Sequence, residues 1–418
     1  MNRKNFPTIL VIFGATGDLM GKKIVPALFH LYKKNKLPPL FQVLGVARRP
    51  FTHAEFRENV SALLAKHDEA HLTDASLAGF TRCFFYEQGD FRETDSYRSL
   101  ARVMGRIDGE WKVCANKLFY LAVPPQYYET IFHQLASSGL TLPCSPAEGW
   151  TRVIVEKPFG HDLTTAEKLD LLLAKLFKEE QIYRIDHYLA KEMLQNILSF
   201  RFSNNLLEQS WNNKNIERID IRLLEKIGVE GRGGFYDPVG ALRDVGQNHL
   251  LQMLALITME QPKVMNAKEV RYLRARLLQD LRLPGMKEAI AESFRGQYVG
   301  YDRIEGVKKD SQTETYFKIK AHLDSPRWQG VPIFMESGKR MKKQLKEIMV
   351  TFKHVTPCLC PPGKHYKNKV VFQLEPEERI QICFLSKKPG LEMEIEDRSL
   401  DFVYRSTVKR RQYVEEYE

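Results

Sequence analysis

Two stretches of this 418-residue chain gather side chains of types and spacing that could do chemistry. The first is Arg184-Ile185-Asp186-His187-Tyr188-Leu189-Ala190-Lys191. Leu189, Met193, Leu194, Ile197 and Leu198 recur at helical spacing, which predicts an amphipathic helix over 187–200 whose start falls at Asp186 to Tyr188. On such a helix His187 and Lys191 lie one turn apart on one face. Backbone N–H groups and the positive dipole end of a helix start, joined by an imidazole and an ammonium, make a phosphate site, and Asp186 is placed to meet a partner distant in sequence. Read alone, the same residues also fit a capped helix with a surface His and Lys. The second stretch is Arg243-Asp244-Val245-Gly246-Gln247-Asn248-His249-Leu250-Leu251-Gln252, polar for several positions inside an otherwise apolar helical pattern over 237–259. Burying Asp, Gln, Asn and His costs stability unless partners satisfy them, so the run marks either a site or a hydrogen-bond network that fixes two helices.

The elements that must position these groups begin at the N-terminus. Residues 8–13 form a continuous apolar run of the kind a buried parallel strand needs, and Gly14-Ala15-Thr16-Gly17-Asp18-Leu19 follows at once, ahead of a helical stretch over 24–32. Strand, glycine turn and helix together suggest a dinucleotide site, because the backbone must approach a pyrophosphate at the helix start. A second strand over 41–46 ends in Ala47-Arg48-Arg49. In a doubly wound sheet an acid there selects NAD, whereas an Arg holds a 2′-phosphate, so the absence of an acid favours NADP. Without the glycine turn, the pair would read as two solvated arginines. Residues 51–69 look helical, 84–91 carry a short strand, and 117–123 form a buried strand closed by Pro124 and Pro125. The strand over 150–155 runs into Glu156-Lys157-Pro158-Phe159-Gly160, placing Lys157 where ligands of such sheets bind; a surface turn with a solvated Lys is the plainer reading. A helix over 164–180 follows. Beyond it, 216–224 alternates as a half-buried antiparallel strand ending at Glu225, and further strands fall near 315–322, 347–352, 370–374 and 380–384.

Taken in order, these motifs resemble the glucose-6-phosphate dehydrogenase family. The 184–191 stretch is similar to its substrate motif, with Ala190 in place of the usual Gly. The glycine turn is similar to the family's Gly-x-x-Gly-Asp-Leu-Ala-x-x-Lys, with Met20 and Gly21 where Ala and Lys are common and Lys23 in its place. Phe119-Tyr120-Leu121-Ala122-Val123-Pro124-Pro125, Glu156-Lys157-Pro158, Glu230-Gly231-Arg232-Gly233-Gly234 with Asp237, the 243–252 run, 295–300 and 328–339 add to the likeness. The resemblance implies an α/β fold: a Rossmann-type doubly wound NADP-binding domain over 1–186, then an α+β substrate and dimerisation domain over 187–418 with a large, mostly antiparallel sheet. It implies oxidation of glucose 6-phosphate at C1, with His249 as base and Asp186 as its orienting partner. His187, Tyr188 and Lys191 would hold the phosphate, Lys157 would bridge substrate and nicotinamide, Glu225 and Asp244 would accept from sugar hydroxyls, and Lys339 would face the substrate. Gly14, Thr16, Gly17, Asp18, Leu19, Lys23, Arg48 and Lys157 would bind NADP. It also implies a cis bond before Pro158, no metal or flavin, and a homodimer or homotetramer. Gln344 stands where the family usually carries a second basic residue, with Lys342, Lys343 and Lys346 as candidates to substitute for it, and the chain stops several dozen residues before the family's usual end.

Size and composition set outer bounds. A chain this long exceeds one hydrophobic core, so two domains are expected. The excess of 11 positive charges admits a nucleic-acid binder, a membrane-surface protein or an enzyme for anionic ligands. The basic residues are scattered and the densest runs, 339–346 and 409–411, are short, which argues against nucleic acid. No apolar run approaches the roughly 18 to 20 residues needed to span a bilayer, and no secretory leader is evident, so a cytoplasmic enzyme is the expectation. Cys83, Cys114, Cys144, Cys358, Cys360 and Cys383 show no disulfide framework or zinc spacing and are expected to be reduced. The rival readings are a dehydrogenase of another aldose 6-phosphate and a non-catalytic NADP or sugar-phosphate binder.

Overall fold

The computed structural model describes residues 6–66, 74–145, 148–357, 360 and 365–403. It divides into two compact units, one running to His187 and the other beginning at Tyr188.

The first unit is built on six parallel strands: β1 (Thr8–Phe13), β2 (Phe41–Ala47), β3 (Phe84–Gln88), β4 (Asn116–Leu121), β5 (Thr151–Val155) and β6 (Ile182–Arg184), in the order β3-β2-β1-β4-β5-β6. All six residues of β1 are buried, as a strand covered on both faces requires. Its side chains alternate between two cores. Ile9, Val11 and Phe13 pack with Tyr97, Leu100, Phe119 and Ile131, whereas Leu10 and Ile12 pack with Val25, Phe29, Phe56 and Val60. Helices cover both faces. His53–Ala65 starts in a capping box between Thr52 and Glu55, and Leu163–Leu176 in one between Asp162 and Thr165. The sequence pattern left Thr94–Trp111 and Tyr128–Ser137 without a helix, although each buries a regular stripe. The helix expected over 24–32 opens earlier, with a wide π-type turn at Met20–Ile24 leading into Val25–Lys33.

The cysteine expectation is corrected in part. Cys114 and Cys144 are disulfide-bonded, their Cα atoms 6.4 Å apart, because the chain brings the segments ahead of β4 and β5 side by side. Cys360 is also disulfide-bonded, Cys83 and Cys383 are free thiols, and Cys358 lies outside the described residues. Chain length weighs against a dense disulfide framework but leaves room for isolated bridges.

The second unit carries eight strands: β7 (Ile216–Leu224), β8 (Ser293–Gly296), β9 (Tyr316–Ala321), β10 (Ile333–Gly338), β11 (Leu345–Phe352), β12 (Lys369–Glu375), β13 (Arg379–Lys387) and β14 (Ile395–Val403). They run in the order β14-β13-β12-β11-β7-β10-β9-β8, antiparallel except for β7 beside β10. The Rossmann-type unit and the large, mostly antiparallel sheet expected from the sequence are both present. Two helix expectations change. Lys191 takes an extended backbone (φ −64°, ψ 128°) between a single 3-10 turn, His187–Ala190, and the helix Glu192–Phe202. His187 and Lys191 therefore do not share one α-helical face. The 237–259 stretch is also not one helix: a wide π-type run, Leu242–Leu250, passes directly into the α-helix Leu251–Thr258.

That α-helix is pinned at its end. Its last carbonyls lack intrahelical donors. Arg201, fully buried, donates to the Leu256 and Met259 carbonyls at 3.0 and 2.9 Å and to both Glu208 oxygens at 3.0 and 3.2 Å. Trp211 and Trp328 donate through Nε1 to the Ile257 and Thr258 carbonyls at 2.8 and 2.7 Å. Arg201→Met would leave two carbonyls and a carboxylate without this donor, so we expect a stability loss of about 3 to 5 kcal/mol, read as a lower urea midpoint.

Candidate active site

Because β1 to β6 are parallel, their carboxyl ends share one edge of the first sheet. Gly14 follows β1 there with φ +83°, and a Cβ would stand 2.3 Å from the Ala122 carbonyl oxygen, so glycine alone fits. Its N–H donates to the Val46 carbonyl at 2.9 Å, and the Gly17 N–H donates back to the Gly14 carbonyl at 2.9 Å, closing the turn. Thr16 is half-buried and Gly17 exposed, and Asp18 and Leu19 open the helical run. Lys23 lies half-buried on the wide turn that follows. A tight glycine turn feeding a helix start is the cradle a pyrophosphate needs, and these residues fit it. Asp18 instead pairs with Lys22 at 2.7 Å on the surface, which holds its carboxyl below the usual range. Met20 fills the core, and Gly21 gives helix His53–Ala65 room to approach: a Cβ there would meet Leu63 at 2.6 Å.

Arg48 is exposed just after β2, and the Gln88 side chain caps its carbonyl at 3.2 Å. Lys157 is half-buried after β5, and the Lys157–Pro158 bond is cis. Its neighbour Glu156 was not singled out from sequence. The Tyr120 hydroxyl donates to its carboxylate at 2.6 Å, and the Tyr128 hydroxyl to its carbonyl at 3.0 Å. Burial raises the Glu156 carboxyl despite the Tyr120 hydrogen bond and the Lys157 charge. Asp186 and His187, both half-buried, close this unit after β6.

The other expected site residues belong to the second unit. His249 is 2% exposed and stacks on Tyr188, ring centroids 4.1 Å apart and planes 26° apart. The buried Lys191 ammonium lies 5.3 Å from the centre of the Tyr188 ring. Asp244, half-buried, is five residues before His249 on the wide-turned helix. Lys339 pairs with Glu225 at 2.7 Å. Asp237, from the glycine-rich block, is structural: Tyr301, Ser311 and the Lys308 N–H donate to it at 3.0, 2.5 and 3.2 Å. Burial alone would raise its carboxyl, but those donors hold it below the usual range.

Glu375 was not singled out from sequence, and Lys346 was named only as one of three lysines able to replace the basic residue absent at Gln344. Lys346 pairs with Glu375 at 2.8 Å and stands 3.9 Å from Glu225, and Gln344 donates to Glu375 at 2.6 Å. Burial alone would lower the Lys346 ammonium, yet Tyr188, Glu375 and Glu225 outweigh it and hold it above the usual lysine range. Burial likewise pushes the Tyr188 phenol up. Period-two spacing was the available signal, since 344 and 346 fall on one side of an extended chain.

The glucose-6-phosphate dehydrogenase NAD binding domain model matches residues 11–196, and the C-terminal domain model of the same family matches 198–418. The chain belongs to the glucose-6-phosphate dehydrogenase family. A glucose-6-phosphate 1-dehydrogenase of Aggregatibacter actinomycetemcomitans is 40% identical over 405 residues, covering 94% of this chain and 81% of the relative. One from Bacillus subtilis is 37% identical over 412 residues, with 94% and 81% covered. A solved glucose-6-phosphate dehydrogenase in complex with its substrate glucose-6-phosphate superposes with a TM-score of 0.89 at 35% identity, over all of this chain and 86% of that one. The enzyme of Mycobacterium avium gives 0.84 at 32% identity, over 98% and 85%.

The raised Glu156 carboxyl sets a pH test. A carboxyl whose folded pKa lies above its unfolded value favours the fold below the unfolded pKa and loses that contribution as pH rises through the folded pKa. Glu156→Gln, which keeps an acceptor for Tyr120, should therefore raise the unfolding midpoint at about pH 8, and the gain should shrink toward about pH 4.

Proposed function

We propose that this chain is a glucose-6-phosphate dehydrogenase that oxidises C1 of glucose 6-phosphate to the 1,5-lactone with NADP as hydride acceptor. The observation that carries the reading is a buried imidazole, His249, stacked on Tyr188 in a wall lined by Lys191, Lys346 and the Lys339–Glu225 pair. A bound nicotinamide coenzyme supplies the acceptor for the hydride leaving C1.

The chain's own residues do the rest. His249 takes the proton of the C1 hydroxyl as the C1–O bond becomes a carbonyl, a task an imidazole performs near neutral pH. Asp186 orients that imidazole and stabilises its charged form. His187, Tyr188 and Lys191 hold the phosphate, and Lys339 faces the sugar. Glu225 and Asp244 accept from sugar hydroxyls, fixing which epimer fits. Lys157 bridges substrate and coenzyme. The turn Gly14 to Leu19, with Lys23, takes the pyrophosphate at a helix start, and Arg48 takes the 2′-phosphate. No helix among the described residues is long and apolar enough to cross a membrane; we take the enzyme to be a cytoplasmic homo-oligomer.

Coenzyme reduction by the purified protein should depend on glucose 6-phosphate and proceed faster with NADP than with NAD; no reduction would leave a non-catalytic binder, and faster turnover of another aldose 6-phosphate would reassign the substrate. His249→Asn should lower kcat by roughly 100- to 10,000-fold while substrate still binds, and an unchanged rate would remove His249 from its role. Arg48→Ala should lower kcat/KM for NADP by roughly 10- to 100-fold with little change for NAD, measured by steady-state kinetics with each coenzyme.

A further inference from the structure

Lys346 has no part in the mechanism above, and its surroundings point to one. Glu375 is occupied on both oxygens, by Gln344 at 2.6 Å and by Lys346 at 2.8 Å, so the Lys346 ammonium is fixed from behind. In front of it lies the buried Tyr188 ring, whose centre is 5.7 Å from Nζ and whose hydroxyl shares a hydrogen bond with Lys346. An ammonium has three donors and no acceptor. The Tyr188 oxygen must therefore accept from Lys346, and its own hydrogen must point toward a third group. The ring cannot turn away, because His249 stacks on it at 4.1 Å. A hydroxyl polarised by an adjacent cation and held in one direction is a donor for an anion, and charge-assisted hydrogen bonds of this kind are the strong ones.

We propose that Lys346 is a positioning residue that commits Tyr188 as a donor to the phosphate of the sugar substrate, so that it sets the preference for phosphorylated over unphosphorylated sugar. Lys339 faces a different ring: its ammonium pairs with Glu225 at 2.7 Å and lies 5.6 Å from the centre of Tyr236. Gln344 supports the arrangement without charge by filling the second oxygen of Glu375. This proposal rests on the reading of the chain as a glucose-6-phosphate dehydrogenase.

The test is steady-state kinetics on glucose 6-phosphate and on glucose for the unaltered enzyme, Lys346→Met, Lys346→Arg, Tyr188→Phe and the double variant Lys346→Met/Tyr188→Phe. Lys346→Met should raise KM for glucose 6-phosphate and lower the ratio of kcat/KM for glucose 6-phosphate over glucose by roughly 10- to 100-fold, the worth of one hydrogen bond to a charged group. Lys346→Arg should restore most of that ratio, and the double variant should lose no more than the worse single one, since both act through one bond. Equal losses on both sugars, an unchanged ratio, or additive losses would overturn the proposal. Should Lys346→Met fail to fold, Lys346→Met/Glu375→Gln removes both charges of the buried pair, and the same fall in ratio is expected of it. An unaltered enzyme that never reduces coenzyme with glucose 6-phosphate would instead sink the parent reading.

Discussion

The contact between the Tyr188 and His249 rings, 4.1 Å apart, depends on two segments far apart in sequence being held still. His249 rides on a wide-turned helix whose start and continuation are both tied down. Glu314 accepts from the Leu242 N–H at 2.9 Å through its side chain and from the Ala241 N–H at 3.0 Å through its carbonyl. At the far end Arg201, Trp211 and Trp328 take up the last carbonyls of the helix that follows. Helix ends normally shed such groups into water. Here they are buried, so side chains must meet them, and the imidazole is fixed as a result.

The charges around that ring stack follow a related constraint. Glu375, Lys346, Glu225 and Lys339 form a chain of alternating sign, with contacts of 2.8, 3.9 and 2.7 Å. Removing such charges from water costs more than a single ion pair returns, so the chain is weak evidence for stability and better evidence for specificity. It keeps cations in a buried wall where an anionic substrate can use them. The first unit meets a different constraint, a turn packed against the Ala122 carbonyl, by omitting a side chain at Gly14.

Much of the coenzyme unit could be read from the chain because its signals are local. The run Thr8–Phe13, fully buried in a parallel sheet, and the glycine turn behind it need no distant partner to be recognised. Ile216–Leu224 was equally plain, since alternation over nine residues fixes its faces. Sequence could not choose Lys346 over Lys342 and Lys343 in its basic run, because only pairing with β12 places Glu375 opposite it. The disulfide between Cys114 and Cys144 escaped notice for the same reason: a separation of 30 residues says nothing about distance in space.

Sequence by itself determined the two-unit plan, the strand, glycine turn and helix of a nucleotide cradle, and the polar run around His249, because periodicity and residue type act over a few neighbours. Tertiary structure alone decided that Lys191 breaks a helix rather than lying on it, that the 242–250 run winds as a wide π-type helix, and that Tyr188 lies against the His249 imidazole. Those outcomes depend on which buried polar group finds which partner, and partners are chosen by packing across the chain rather than along it.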